Sequence, residues 1–185
     1  MTSLIVLGVI LALAALLIGI FNKFAHNRNL VKDAWSNIDV ALKRRYDLIP
    51  NLVNTVKGYA THEKEVFQKI TEARAAAMNA SKSGDINGQI KAENQLQQSL
   101  MSLFAVAEAY PDLKANTNFI ELQNTLNEVE ENLERSRRYY NSAVRENNTY
   151  GESFPATIFA GMLKYQKFDY FEITESERQN VKVEF

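Results

Sequence analysis

Cysteine is absent from this 185-residue chain, and histidine (two), proline (three) and glycine (seven) are scarce. Without Cys there are no disulfides and no thiolate metal sites, and the redox compartment leaves no trace in the sequence. With only His26 and His62, a His-based catalytic triad has few members to draw on. Excess charge is missing too: 21 Lys and Arg face 22 Asp and Glu, so no basic surface points to a nucleic-acid partner. The shortage of Gly and Pro, beside abundant Ala, Leu, Glu, Asn and Gln, favours long helices with short connections.

Recognisable chemistry is equally thin. His62-Glu63 opens a zinc-protease motif, but Val66 stands where the second histidine is needed. Gly58, Gly84 and Gly88 are isolated and form no phosphate loop. The carboxylate pairs Glu63/Glu65 and Glu130/Glu131 fall on helix surfaces expected to be solvated, with nothing to tune them for acid–base work. A di-metal helical bundle needs Glu-x-x-His motifs on facing helices, and the chain has none. No catalytic residue, metal ligand or cofactor is expected. Tyr46, Asp47, His62 and Glu63 are the sole clustered polar candidates for a hydrolase.

What the chain does have is residues 4–21, LIVLGVILALAALLIGIF, eighteen positions with no charge or polar amide. As a helix the run covers ~27 Å, about one hydrocarbon core. Thirteen of the eighteen are Leu, Ile, Val or Phe, which favours insertion by roughly 4–8 kcal/mol. A cleaved signal peptide would carry Lys or Arg before the run and a small-x-small site after it; neither is present, so the run reads as a retained anchor. Lys23, Arg28 and Lys32 follow it and no acid comes before Asp33, which places the body of the chain in the cytoplasm and the N-terminus outside.

Four helical stretches are expected beyond the anchor. The first carries Leu30, Ala34, Ile38, Ala41/Leu42 and Leu48, continues directly out of the membrane, and ends or bends at Pro50. The second starts near Pro50 and carries Leu52, Val56, Tyr59, Val66/Phe67, Ile70, Ala73 and Ala77, with Gly58 weakening but not breaking it. Ser81-Lys82-Ser83-Gly84-Asp85 reads as a turn with Asp85 as N-cap. The third runs from Ile86 to near Tyr110-Pro111. The fourth holds Phe119, Leu122, Leu126, Val129, Leu133, Ser136, Tyr140 and Ala143, a three-and-four spacing suited to a left-handed bundle or coiled coil. Its outer positions, Glu128, Glu130, Glu131 and Glu134 and then Arg135, Arg137 and Arg138, read as a solvated face whose polarity suits the helix dipole.

Past Asn147-Asn148 the composition turns aromatic: Phe154, Phe159, Tyr165, Phe168, Tyr170 and Phe171, with an alternating, strand-like end at 181–185 that finishes on Phe185. An even number of up-and-down helices returns the chain to the end it entered, so residues 150–171 arrive back at the membrane surface. There they either enter the interface or cover the open end of the bundle core. An intersubunit contact through these aromatics is a further expectation.

Two patterns have chemical meaning without catalysis. Lys43-Arg44-Arg45, followed by Tyr46-Asp47, places three cations in succession on one helix, so at least one pairs with a carboxylate within or between bundles. The cluster lies ~30 Å along a straight helix from the anchor, too far for a lipid head group. In the anchor, Gly8, Ala12, Ala15 and Gly19 fall on one face at steps of four, three and four, where a second helix can approach closely.

Ala34-Trp35-Ser36-Asn37-Ile38-Asp39-Val40 and Leu42-Lys43-Arg44-Arg45-Tyr46-Asp47-Leu48-Ile49-Pro50-Asn51-Leu52-Val53 closely resemble the signature of the bacterial LemA proteins. The likeness continues through Thr55–Ala60, His62-Glu63, Ala107–Ala115, Asn118-Phe119, Arg138–Asn141, Val144 and Phe154-Pro155, and departs from the usual pattern at variable positions such as Arg145-Glu146-Asn147. The resemblance implies one N-terminal membrane helix and a cytoplasmic up-and-down four-helix bundle, and supplies no enzyme activity. It also brings association with a magnetosome protein linked to membrane organisation and with a membrane metalloprotease encoded nearby.

The expectation is therefore an all-α protein of the bacterial inner membrane: an anchor at 1–22, a four-helix bundle at 23–150 and an aromatic tail at 151–185. Its partners would be the lipid bilayer and further copies of itself. The expected role is a non-enzymatic oligomeric scaffold that orders or shapes the membrane; the alternative is an adaptor that presents a partner such as a membrane protease.

Overall fold

A computed structural model describes residues 1–171. The alternating end at 181–185, including Phe185, lies outside the described residues. Among those described, every regular element is a helix: α1 (Thr2–Lys57), α2 (Lys64–Ser83), α3 (Ile86–Glu108), α4 (Pro111–Lys114), α5 (Thr117–Glu152) and α6 (Ala156–Ala160). They fall into two compact units. One holds Met1–Asn37 and Arg138–Tyr170; the other holds Ile38–Arg137 with Phe171.

Helix α1 carries the apolar run in its first five turns. It is the one helix among the described residues that is long and apolar enough to cross a membrane. Residues 1–19 are all exposed, and Ile20 is the first buried side chain. Large apolar side chains left bare over 18 residues are consistent with a membrane anchor.

Helix α1 does not stop at Pro50. It continues to Lys57, with Pro50 inside it. Proline lacks the N–H that would bond the carbonyl four residues back, the oxygen of Tyr46. Arg74 of α2 supplies the missing donor, its Nε bonding the Tyr46 oxygen at 2.8 Å. Ile49, Leu52, Val53 and Val56, all buried, hold the helix on either side of the break in its ladder. The chain turns instead at Gly58, where Gly58 and Tyr59 bond back to Thr55 and Val56 in a tightened last turn. The second predicted stretch is thus divided: Leu52 and Val56 belong to α1, and α2 begins only at Lys64.

The unit built on Ile38–Arg137 buries one stripe from each long helix. α1 gives Ile38, Leu42, Ile49, Leu52 and Val56; α2 gives Phe67, Ile70, Ala73 and Ala77. α3 gives Leu96, Leu100, Leu103 and Ala107, and α5 gives Leu126, Val129 and Leu133. The three-and-four spacing places each set on one helix face, and water leaving those faces supplies the main stabilisation. Gly84 ends α2 in the left-handed region at φ 73°, which costs a glycine little. Asp85 occupies the N-cap of α3 with extended backbone, though its carboxyl makes no capping bond. Asn116 does cap α5, its Oδ1 accepting from the Phe119 N–H at 3.0 Å while its Nδ2 donates to the Tyr59 hydroxyl at 2.8 Å.

In the other unit, α6 packs on the end of the apolar run. Ile20, Phe24 and Ala156 are buried together, with Tyr150, Phe159, Leu163 and Tyr165 against them. The Phe24 ring meets Tyr150 edge-on at 5.0 Å and Tyr165 at 5.7 Å. Past α6 the chain turns at Lys164 (φ 50°), with the Tyr165 N–H bonded to the Ala160 oxygen at 2.9 Å. This is the closing bond of a Schellman turn, with lysine where glycine is usual.

Candidate functional site

Two sites stand out, one polar and buried, one apolar and bare. The first is centred on Arg45, which lies on the same stripe as Leu42 and Ile49 and is 1% exposed. Its Nη1 donates to Glu93 Oε2 at 3.0 Å, and its Nη2 donates to Gln97 Oε1. Its Nε lies 2.8 Å from Glu130 Oε1, a charge contact without hydrogen-bond alignment. The Tyr46 hydroxyl donates to the other Glu93 oxygen. One guanidinium therefore joins α1, α3 and α5. Burial pushes the Glu93 carboxyl above its ordinary 4.5, against the pull of Arg45 and then of Tyr46. Burial, reinforced by the charge and hydrogen bond of Glu93, also holds the Tyr46 phenol well above its usual range. Asp39 is raised by burial as well, with Ser81 pulling the other way.

Such an arrangement is suited to fixing helix register rather than to proton transfer. Each charge is already committed to a partner within the network. Of the predicted pairing residues, Arg45 enters this network, while Lys43, Arg44 and Asp47 are exposed. His62 is exposed in the turn before α2, and Glu63 is half-buried at its N-cap, so the clustered polar candidates do not converge on Tyr46. Glu130 belongs to the network and not to a solvated face. Glu93 and Gln97 were not anticipated. Their signal was a carboxylate and an amide set among the apolar positions of α3.

The second site is the collar where α1 leaves its apolar run. Phe154, Ile158 and Met162, four residues apart around α6, are 80%, 64% and 73% exposed. Phe159, Tyr165 and Phe168 are half-buried, Tyr170 is exposed, and Phe171 is buried in the other unit with Arg137 4.6 Å from its ring. Gly8, Ala12, Ala15 and Gly19 are all exposed. Residues 165–170 are strapped along α5 by three side chains. Asn147 Nδ2 donates to the Gln166 oxygen at 3.1 Å, and the Tyr140 hydroxyl donates to the Asp169 oxygen at 3.0 Å. Asn148 bonds Phe168 twice, donating to its carbonyl at 2.9 Å and accepting from its N–H at 3.1 Å. Trp35 packs edge-on against the Tyr140 ring at 5.2 Å. Burial, then the nearby Asp169 charge, lift the Tyr140 phenol to about 12. Lys23 pairs with Glu146 at 2.5 Å and Lys167 with Glu152 at 2.7 Å. The Asn147-Asn148 pair was noted in the sequence only as the point where composition changes; its clamping role was missed.

Among the described residues no group of three or more His, Asp or Glu side chains is placed to hold a metal ion. The sequence pattern of the LemA family matches residues 34–185, from Trp35 and the Arg45 network through the strapped tail. The chain belongs to the LemA family. It is 26% identical over 164 residues to the protein LemA of Metamycoplasma hominis, covering 89% of this chain and 74% of that one. It is 24% identical over 190 residues to the magnetosome protein MamQ 2 of Paramagnetospirillum magneticum, covering 90% of this chain and 70% of that one. A third relative, the magnetosome protein MamQ of Magnetospirillum gryphiswaldense, is 21% identical over 74% of this chain and 58% of its own length.

Proposed function

We infer that this LemA-family chain is a membrane-anchored, non-enzymatic scaffold that self-associates and organises or shapes the bacterial inner membrane. The observation that carries this reading is the packing of α6 on Ile20 and Phe24. If residues 4–21 span a bilayer, α6 sits at its surface, and the bare face of Phe154, Ile158 and Met162 enters the interfacial layer. A wedge of this kind in one leaflet, repeated across many copies, is a physical means of bending or ordering a membrane. The two magnetosome relatives support a membrane setting, and the committed charges of the Arg45 network support a role without catalysis.

The body of the chain is an up-and-down four-helix bundle in this reading, with domains at 1–22, 23–150 and 151–185. It faces the cytoplasm, as Lys23, Arg28 and Lys32 favour. Copies meet through Gly8, Ala12, Ala15 and Gly19, whose exposed face has nothing within 4 Å of either glycine, and through the tail. The mass of the full chain in native nanodiscs tests the scaffold: several copies per disc are expected, and a uniform monomer at membrane density would overturn it. An adaptor for a membrane protease would instead yield one stoichiometric foreign partner by crosslinking in cells, with no self-contacts. A reporter fused after Phe185, active on one side only, tests the orientation.

A further inference from the structure

The collar holds two adjoining hollows that share Phe21 and Leu163. The first is a groove of ≈ 260 Å³ with an almost wholly apolar wall, formed by Leu17, Ile18 and Phe21 of the anchor against Phe159, Met162 and Leu163. The second is a recess of ≈ 50 Å³ that reaches two turns further along α1, lined by Arg28, Lys164, Asn147 and Gln166. Its lining has two cations and no carboxylate. Neither Arg28 nor Lys164 enters an ion pair among the described residues, whereas their neighbours Lys23 and Lys167 each do.

We propose that the groove and recess together bind one anionic phospholipid, its acyl chain along Phe21, Phe159 and Met162 and its phosphate between Arg28 and Lys164. The proposal rests on the membrane-anchored reading above and deepens it by naming the lipid class. Three observations support a lipid over a soluble ligand. A recess of ≈ 50 Å³ is far below the ~300–1,000 Å³ of small-molecule pockets, so it takes a phosphate edge and not a metabolite. The apolar groove continues from it toward the anchor, the direction in which a lipid's chains run. The heights also agree. Arg28 is seven residues beyond Phe21, ~10 Å along the helix axis. Helical side chains lean toward the N-terminus, which brings the guanidinium back into a head-group layer ~5–8 Å thick. Charge complementarity sets the preference: each cation at an anionic membrane surface changes binding about five-fold, so the two together set about a 25-fold preference.

The test is native mass spectrometry of the full chain in mild detergent, titrated with phosphatidylglycerol or with phosphatidylcholine of the same acyl chains. The wild-type chain retains phosphatidylglycerol preferentially. Arg28→Gln with Lys164→Gln abolishes that preference, and Lys43→Gln with Arg44→Gln, which removes the same charge elsewhere, leaves it intact. Met162→Asn, which makes the groove polar without adding charge, weakens retention of both lipids without changing their ratio. Equal retention by the wild-type chain, or a preference that survives the Arg28/Lys164 change, overturns the proposal. So does displacement by glycerol phosphate at equal concentration, which would assign the recess to a soluble phosphate. A chain released from membranes without detergent would refute the anchored reading itself, whereas an embedded chain with no head-group preference refutes only this inference.

Discussion

Arg74 donates its Nε hydrogen to the backbone oxygen of Tyr46 at 2.8 Å, the oxygen that Pro50 leaves without a helical partner. A proline inside a helix costs ~3 kcal/mol or more, and a good part of that is the stranded acceptor. Replacing the absent N–H with a guanidinium from α2 lets α1 run seven residues past the proline. Removing the donor from Arg74→Ala lowers stability by about 1–3 kcal/mol. In a Pro50→Ala background the helical N–H returns, and the same substitution costs less than about 1 kcal/mol. Denaturant unfolding of the four chains, followed by circular dichroism, measures the coupling. Equal costs in both backgrounds would remove Arg74 from any compensating role.

The long apolar run, the all-helical class and the stripe of α5 were legible because each is a local pattern in which period alone specifies the buried face. The end of α1 was not. Pro50 and Gly58 both weaken a helix, and which one ends it depends on Arg74, 24 residues beyond Pro50, reaching the Tyr46 oxygen. Arg45 was partly legible. Its position among Leu42, Ile49 and Leu52 marks it as the cation of the Lys43–Arg45 run that faces inward, whereas Lys43 and Arg44 lie off that stripe. Its partners were not legible, since Glu93 and Glu130 come from helices whose relative register no local pattern encodes. Reading Glu130 as solvated followed from counting charges along α5 without knowing what faced it.

The Arg45 network makes a graded prediction. Arg45→Ala strands the Glu93 carboxyl at 1% exposure and costs about 3–5 kcal/mol. Glu130, with its side chain 32% exposed, keeps contact with water, so Glu130→Gln costs within about 1 kcal/mol. Arg45→Met combined with Glu93→Leu removes both charges from the core and recovers most of the loss. Thermal unfolding ranks the three. A double variant no better than Arg45→Ala would show that the helices need the polar network for more than charge balance.

Tyr140 gives the chain a dependence on alkaline pH. Its phenol is lifted from 10.0 to about 12, first by burial and then by Asp169. Between those values the folded chain keeps a proton that the unfolded chain has lost, so this contribution is fully present below pH 10 and is lost as pH rises toward 12. Tyr140→Phe flattens that slope. It also costs about 1 kcal/mol at neutral pH, because the hydroxyl no longer donates to the Asp169 carbonyl. Absorbance titration of the phenolate band checks the assignment. In the folded chain Tyr140 and Tyr46 both ionise late, and the late signal shrinks in the Phe variant.

Asn148 holds the tail by imitating a strand partner, taking both the N–H and the carbonyl of Phe168. Asn148→Ala removes both bonds and leaves two backbone groups of a half-buried residue to find water, a loss of about 1–3 kcal/mol felt locally. Exchange of the Phe168 amide accelerates by about 10-fold or more, since each 1.4 kcal/mol of local opening is a factor of ten. Gly151→Ala attacks the same strap from the helix side, because a Cβ there would stand 2.3 Å from the Tyr165 ring. That ring is packed against Phe24 and cannot shift without opening the collar. Both variants therefore speed tryptic cleavage after Lys164 and Lys167, while cleavage after the exposed Lys43 stays at its wild-type rate. If Lys43 is cut faster in step with the tail, the strap and the helical body unfold as one, and Asn148 is a stability residue for the whole chain rather than a clasp for its end.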